Sequence, residues 1–224
     1  MTDFKLECVL FDLDGTLVDT APDLLASLNR TLLAFGFLPA EEEALRPFIS
    51  HGALAMINQS RVSDSDELKA QMLDYMLDSY QNHIADSSEL FAGMAEVLQL
   101  IEAKGLKWGV VTNKRERFTN PLLAALQLDS RAACAVSGDT TAFSKPHPEP
   151  MFEACRRAGV SPANCVYIGD AVHDITAGKQ ADMKALVAMY GYLKPDDQPE
   201  HWGADALISH PSHLMHWIES ATCL

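Results

Sequence analysis

Val9-Leu10-Phe11-Asp12-Leu13-Asp14-Gly15-Thr16-Leu17 couples an apolar run to two carboxylates one residue apart. The run starts at Cys8 and has the composition of a buried strand; the acidic residues mark its carboxyl end. Ligands of open α/β sheets bind at the carboxyl ends of the strands. Two carboxylates this close repel unless one is protonated or a cation lies between them. That points to a hard cation such as Mg²⁺, which takes carboxylate oxygens.

Outward from this stretch, strand-like runs recur at 107–112, 132–136, 164–168, 184–189 and 206–209. Helical patterns alternate with them at about 94–104, 116–127, 148–158, 171–181 and 211–220. Such alternation predicts an α/β fold with a Rossmann-like parallel sheet. Residues 19–89 break it. Thr20 with Pro22 suits a helix start, Leu24, Leu25, Leu28, Leu32 and Phe35 follow a helical period, and Gly36 suits its end. Further helices are expected at 40–48, 52–60 and about 66–85, with a loop at 63–66 and no strand. The expected organisation is a core of 1–18 and 90–224 with a helical cap, 19–89, inserted into it.

Composition narrows the function. The net charge of −14 argues against a nucleic-acid surface, because such surfaces are basic. The five cysteines are odd in number and lack a C-x-x-C pair, which fits reduced, structural thiols in the cytoplasm. Residues 1–7 show no signal-peptide pattern, and no apolar run reaches the roughly 20 residues of a membrane helix. His210, His213 and His216 step by three along a helix and read as surface residues; His147 and His173 read as bystanders of the motifs beside them.

Four short motifs end strand-like runs in order: Asp12-Leu13-Asp14-Gly15-Thr16, Val111-Thr112-Asn113-Lys114, Ser144-Lys145-Pro146, and Gly169-Asp170 with Asp174. Taken singly each has a plain reading. The acidic pair fits a turn before a helix cap, Thr112 a strand end, Lys145 an exposed loop, and Asp174 a first-turn charge facing the helix dipole. As a set they resemble the haloacid dehalogenase superfamily of aspartate-nucleophile hydrolases across essentially the whole chain. The resemblance implies Asp12 as nucleophile and Asp14 as general acid and base. It implies Mg²⁺ on the Asp12 and Asp170 side chains and the Asp14 main-chain oxygen. Thr112 and the main-chain N–H groups of Leu13 and Asn113 would hold phosphate, and Lys145 would supply positive charge. Asp174 would orient Lys145 or metal-bound water.

Asp14 and the inserted cap resemble the phosphoglycolate phosphatase-like branch. Ile-Ser-His-Gly-Ala at 49–53, Tyr-Gly-Tyr at 190–192 and His-Trp-Gly-Ala-Asp at 201–205 are closer to bacterial N-acetylmuramate 6-phosphate phosphatases. The implied reaction is hydrolysis of a small phosphate ester by a monomer or homodimer. Phosphoglycolate phosphatase, a sugar phosphomutase and a phospho-acceptor module are the alternatives. Arg46, His51 and Gly52 are the expected substrate contacts from the cap; Arg46 and His51 equally fit a solvated surface.

Overall fold

The computed structural model describes residues 4–62 and 65–222, so Cys223 and the first half of the expected 63–66 loop lie outside the described residues. In chain order the first elements are β1 (Cys8–Phe11), β2 (Val18–Asp19), α1 (Ala21–Ala34), α2 (Glu42–Leu45), α3 (Ala53–Gln59), α4 (Asp66–Asn82) and β3 (Glu89–Leu90). There follow α5 (Met94–Ala103), β4 (Lys107–Val111), α6 (Glu116–Ala125), β5 (Cys134–Val136), α7 (Glu149–Ala158), β6 (Cys165–Gly169), α8 (Val172–Gln180), β7 (Lys184–Ala188), β8 (Ala206–Ile208) and α9 (Pro211–Thr222).

Six strands form one parallel sheet in the order β5-β4-β1-β6-β7-β8, matching the expected α/β core. All four residues of β1 are buried because helices cover both of its faces. Val9 and Phe11 join Leu98 and Ile101 of α5, Leu122 of α6 and Leu214 and Ile218 of α9. Cys8 and Leu10 join Met151 and Cys155 of α7 and Ala177 of α8. This is the two-residue period of a strand, with core on both sides. Phe11 lies opposite Val110 of β4 and Ile168 of β6, so three adjacent strands end together. Asp12, Thr112 and Asp170 follow those ends.

The insertion has an apolar cluster of its own, including Leu28, Leu32, Met56, Met72 and Met76. Phe118 of α6 and Tyr192 belong to the same cluster and seat it on the core. Where the chain enters and leaves, β2 and β3 pair antiparallel, Val18 against Leu90 and Asp19 against Glu89. The expectation of no strand in 19–89 is thus corrected at its edges; a two-residue ladder is too short to leave a periodic signal. The expected helix at 40–48 is also corrected. It stops at Leu45, and residues Arg46–His51 continue as a 3₁₀ turn around Pro47, which has no N–H to donate. Thr20 does not cap α1 with its side chain; its hydroxyl donates to Asp14 instead.

Cys8, Cys134, Cys155 and Cys165 are buried free thiols. His210, His213 and His216 are exposed and form no metal-ligating group with other side chains among the described residues. No described helix is long and apolar enough to cross a membrane.

The return from the insertion is tied down by one carboxylate. Asp23, 3% exposed, accepts from the main-chain N–H of Ser87 (3.0 Å) and Ser88 (2.8 Å) and from the Ser88 hydroxyl (2.6 Å). Asp23→Ala would leave these donors unpaired, and each buried orphan costs about 1–3 kcal/mol. Urea unfolding is expected to show a loss of about 2–4 kcal/mol for Asp23→Ala and a smaller loss for Asp23→Asn, which keeps an acceptor.

Candidate active site

Asp12 is placed by the sheet itself: its N–H continues the ladder to the Ile168 carbonyl at 2.8 Å. Its side chain is 7% exposed and faces Lys145, whose Nζ donates to Asp12 Oδ1 at 2.8 Å. The same ammonium donates to Asp174 Oδ1 at 2.6 Å and to the Tyr167 hydroxyl at 2.8 Å, and lies 3.1 Å from the Val111 carbonyl. Burial alone would lower the lysine's pKa, but Asp12 and Asp174 reverse that and hold it above its usual value. Lys145 is itself clamped: its N–H donates to Asn113 Oδ1 (3.0 Å) and its carbonyl accepts from Asn113 Nδ2 (3.1 Å). A cis peptide links it to Pro146.

Asp174 sits in the first turn of α8, fully buried, its Oδ2 accepting from the Ala171 N–H at 3.0 Å. Burial raises its pKa, and Lys145 outweighs burial to bring it below the usual aspartate value. Asp170, 1% exposed, takes two donors on Oδ2: the Ser50 hydroxyl at 2.7 Å and the Tyr192 N–H at 2.8 Å. Its Oδ1 is buried with no hydrogen-bond partner among the described residues. Burial, then the Asp12 and Asp174 carboxylates, push Asp170 well above the ordinary range.

Asp12, Asp170 and Asp174 each bring an oxygen within 4.8 Å of the others. Of these three buried carboxylates only Asp12 and Asp174 touch the ammonium, and among the described residues Asp170 Oδ1 has no hydrogen-bond partner. That donor set fits a hard divalent cation. Asp174 already has its oxygens on Lys145, Tyr167 and Ala171, which leaves Asp12 and Asp170 as the available side-chain ligands.

Asp14 points elsewhere. Its Oδ1 accepts from the Thr20 hydroxyl at 2.6 Å, and Lys114 Nζ spans both oxygens at 2.9 and 3.1 Å. Gly15 makes the intervening turn with φ +81°; a Cβ there would collide with the Asp170 carboxylate and approach Tyr192 to 2.8 Å. Gly191 is equally confined, its missing side chain letting the Tyr192 N–H reach Asp170.

A cavity of about 570 Å³ opens between core and insertion. Asp12, Asp14, Thr112, Asn113, Lys114, Arg115, Arg117 and His173 line it from the core, and Ser50, His51, Gly52, Leu54, Met56, Leu73 and Leu77 from the insertion. The main-chain N–H groups of Leu13 and Asn113 find no partner among the described residues. Burial, then Lys194, lowers the pKa of His51. Arg46, expected to meet substrate, does not line this cavity. Its guanidinium pairs with Asp19 at 2.7 Å and lies over the Tyr192 ring, 5.0 Å from the centroid. Sequence reasoning had also given no role to Lys114, Ser50, Tyr167 or Tyr192. The position of Lys114 two residues past Thr112 was the available signal; nothing in the sequence around Ser50 points to Asp170.

A parallel α/β core with acidic residues and a lysine gathered at its carboxyl edge, under an inserted helical segment, defines an α/β hydrolytic-enzyme architecture. The sequence pattern of haloacid dehalogenase-like hydrolases matches residues 9–188. The chain is 40% identical to N-acetylmuramic acid 6-phosphate phosphatase of Pseudomonas aeruginosa, covering 100% of this chain and 99% of that one. It is 42% identical to a phosphoglycolate phosphatase of Xylella fastidiosa, covering 92% and 90%. The crystal structure of a predicted phosphoglycolate phosphatase from Haemophilus somnus superposes with a TM-score of 0.84 at 26% identity, covering 97% of this chain and 99% of that one. The chain belongs to the haloacid dehalogenase-like hydrolases.

A cation bound here would compete with protons for the same oxygens. Burial, with help from Asp174 and Asp14 against the opposing pull of Lys145, raises the Asp12 pKa to about 6. The folded chain therefore binds this proton more tightly than the unfolded chain. That stabilisation is fully present below the usual aspartate value and is lost as pH rises through about 6. Thermal unfolding is expected to show a larger Mg²⁺-dependent rise in Tm near pH ~7.5 than near pH ~5, where protons hold the site.

Proposed function

We propose that this hydrolase is a Mg²⁺-dependent phosphatase that cleaves a small phosphomonoester through an aspartyl-phosphate. The observation that carries the reading is Asp12. It follows the end of β1, faces the cavity, and is oriented by a buried lysine beside a group of carboxylates that fits a cation.

Lys145 on Oδ1 fixes the rotation of the Asp12 carboxylate and leaves Oδ2 to attack phosphorus. The P–O bond to the alcohol breaks, and Asp14 gives its proton to the leaving oxygen. Asp14 then takes a proton from water, which attacks the acyl phosphate, releases inorganic phosphate and restores Asp12. Thr112 and the free N–H groups of Leu13 and Asn113 would donate to the phosphoryl oxygens. Mg²⁺ would be held by the Asp12 and Asp170 side chains and the Asp14 main-chain oxygen, and would offset repulsion between carboxylates and a dianionic phosphate. Residues 19–89 act as a cap over the core of 1–18 and 90–224, excluding water during the transfer.

Within this class we take N-acetylmuramate 6-phosphate as the substrate. The Pseudomonas relative supports it over the whole chain. The cavity supports it as well: 570 Å³ is roomy for a two-carbon acid, and Leu54, Met56, Leu73 and Leu77 give it an apolar wall suited to acetyl and lactyl methyl groups. Arg115 and Arg117 line the cavity and form no ion pair among the described residues; Arg117 lies over the Phe118 ring. They replace Arg46 as the groups facing a substrate carboxylate. The Xylella relative favours 2-phosphoglycolate, a smaller carboxylate with the same phosphate chemistry.

Asp12→Asn is expected to abolish phosphate release from every ester; full turnover by that variant would remove the nucleophile assignment. In a panel of phosphate esters with Mg²⁺, kcat/KM for N-acetylmuramate 6-phosphate is expected to exceed that for 2-phosphoglycolate by about tenfold or more, ~1.4 kcal/mol. The reverse ranking would assign the chain to phosphoglycolate. Arg115→Ala with Arg117→Ala is expected to raise KM for the carboxylated ester by about tenfold, with a smaller change for a neutral sugar phosphate.

A further inference from the structure

We infer that Lys114 is a positioning residue for the Asp14 carboxyl group, secured in that role by the ring of Tyr80 from the inserted segment. The inference rests on the phosphatase reading, in which Asp14 carries the proton.

The site contains two lysines, and they divide between the two aspartates. Lys145 serves Asp12. Lys114, its side chain 7% exposed, reaches across from the loop after β4 and grips both Asp14 oxygens, at 2.9 and 3.1 Å. A two-oxygen grip defines the plane of a carboxylate as well as its distance. Thr20 Oγ1 holds Oδ1 at 2.6 Å. Asp14 therefore has its orientation set from the start of α1 and from the loop after β4.

The ammonium has one further neighbour. Its Nζ lies 4.5 Å from the centroid of the Tyr80 ring, on α4. A cation over a buried aromatic face is attracted to it. Tyr80 is 2% exposed and tilts against Phe118 of α6, with centroids 5.6 Å apart. The buried Tyr80 hydroxyl has no hydrogen-bond partner among the described residues, so the ring face is what meets the ammonium. Lys114 thus links a helix of the insertion to the proton carrier of the core, and the orientation of Asp14 depends on α4 being seated.

A proton carrier must lie within hydrogen-bond reach of the oxygen it serves. Displacement by about 1 Å costs roughly 100-fold in rate. An alkoxide needs that proton to leave; p-nitrophenolate is stable enough to leave without it. Loss of Lys114 should therefore separate two substrates that share every phosphate contact.

The experiment compares kcat/KM, which reports the steps up to release of the alcohol and not hydrolysis of the shared aspartyl-phosphate, on p-nitrophenyl phosphate and on N-acetylmuramate 6-phosphate, or on 2-phosphoglycolate if that is the faster alkyl ester, for wild type, Asp12→Asn, Lys114→Met and Tyr80→Leu. Lys114→Met is expected to lose about 100-fold or more on the alkyl ester and less than about tenfold on p-nitrophenyl phosphate. Tyr80→Leu is expected to show the same split at smaller size, and it carries the test if Lys114→Met does not fold by circular dichroism. Equal losses on both esters, or no loss, with wild type active and Asp12→Asn inactive, would overturn the role of Lys114 alone. A wild type that hydrolyses neither ester would overturn the phosphatase reading together with it.

Discussion

One ammonium among three buried carboxylates is the constraint around which this protein is organised. Asp12, Asp170 and Asp174 bring oxygens within 4.8 Å of one another, all buried, and Lys145 is the cation that touches two of them. Taking an ion out of water costs several kcal/mol even after relaxation, and only good pairing repays it. The surroundings of Lys145 follow from that cost. Tyr167 and the Val111 carbonyl complete its coordination, Asn113 clamps its backbone, and Asp174 is braced on the Ala171 N–H. The charge left uncompensated is concentrated on Asp170 and Asp12, where burial drives the pKa upward. The fold maintains an electrostatic deficit at one point, and that point faces the cavity.

The insertion takes part in holding this point together. Ser50 reaches Asp170 from a 3₁₀ turn that carries no catalytic motif. Tyr192 donates its N–H to Asp170 while its hydroxyl donates to Asp19 at 2.7 Å and accepts from the Ala21 N–H at 2.9 Å. Arg46, stacked on that same ring, completes the joint at the base of α1. The line between core and insertion therefore runs through shared polar contacts as well as an apolar seam at Phe118.

The sheet was legible because its strands are covered on both faces and read as unbroken apolar runs, each ending where chemistry begins. Asp12, Thr112 and Asp170 were legible for the same reason, because their motifs follow strand ends; Lys145, in a loop well past β5, and Asp174, in the first turn of α8, depart from the expected strand-end position and were legible through the family resemblance. What the sequence did not show depends on distance along the chain. Arg46 looked like a free cation until Asp19, 27 residues away, took it. Thr20 looked like a helix cap because capping is a local rule, and its hydroxyl followed a stronger acceptor six residues back. Lys114 was visible within a motif, but its partner lies 100 residues earlier. The two-residue strands at the edges of the insertion are too short for any periodicity to reveal.

Those two strands have an evolutionary consequence. Because Asp19 pairs with Glu89, the two ends of a seventy-residue excursion emerge side by side. A helical segment of another length or shape could be grafted between the same two positions without lengthening the connection or moving Asp12. The joint between the two parts is thus a ladder two residues long, and Ser50 and Tyr80 are the contacts that any such graft would have to supply again to Asp170 and Lys114.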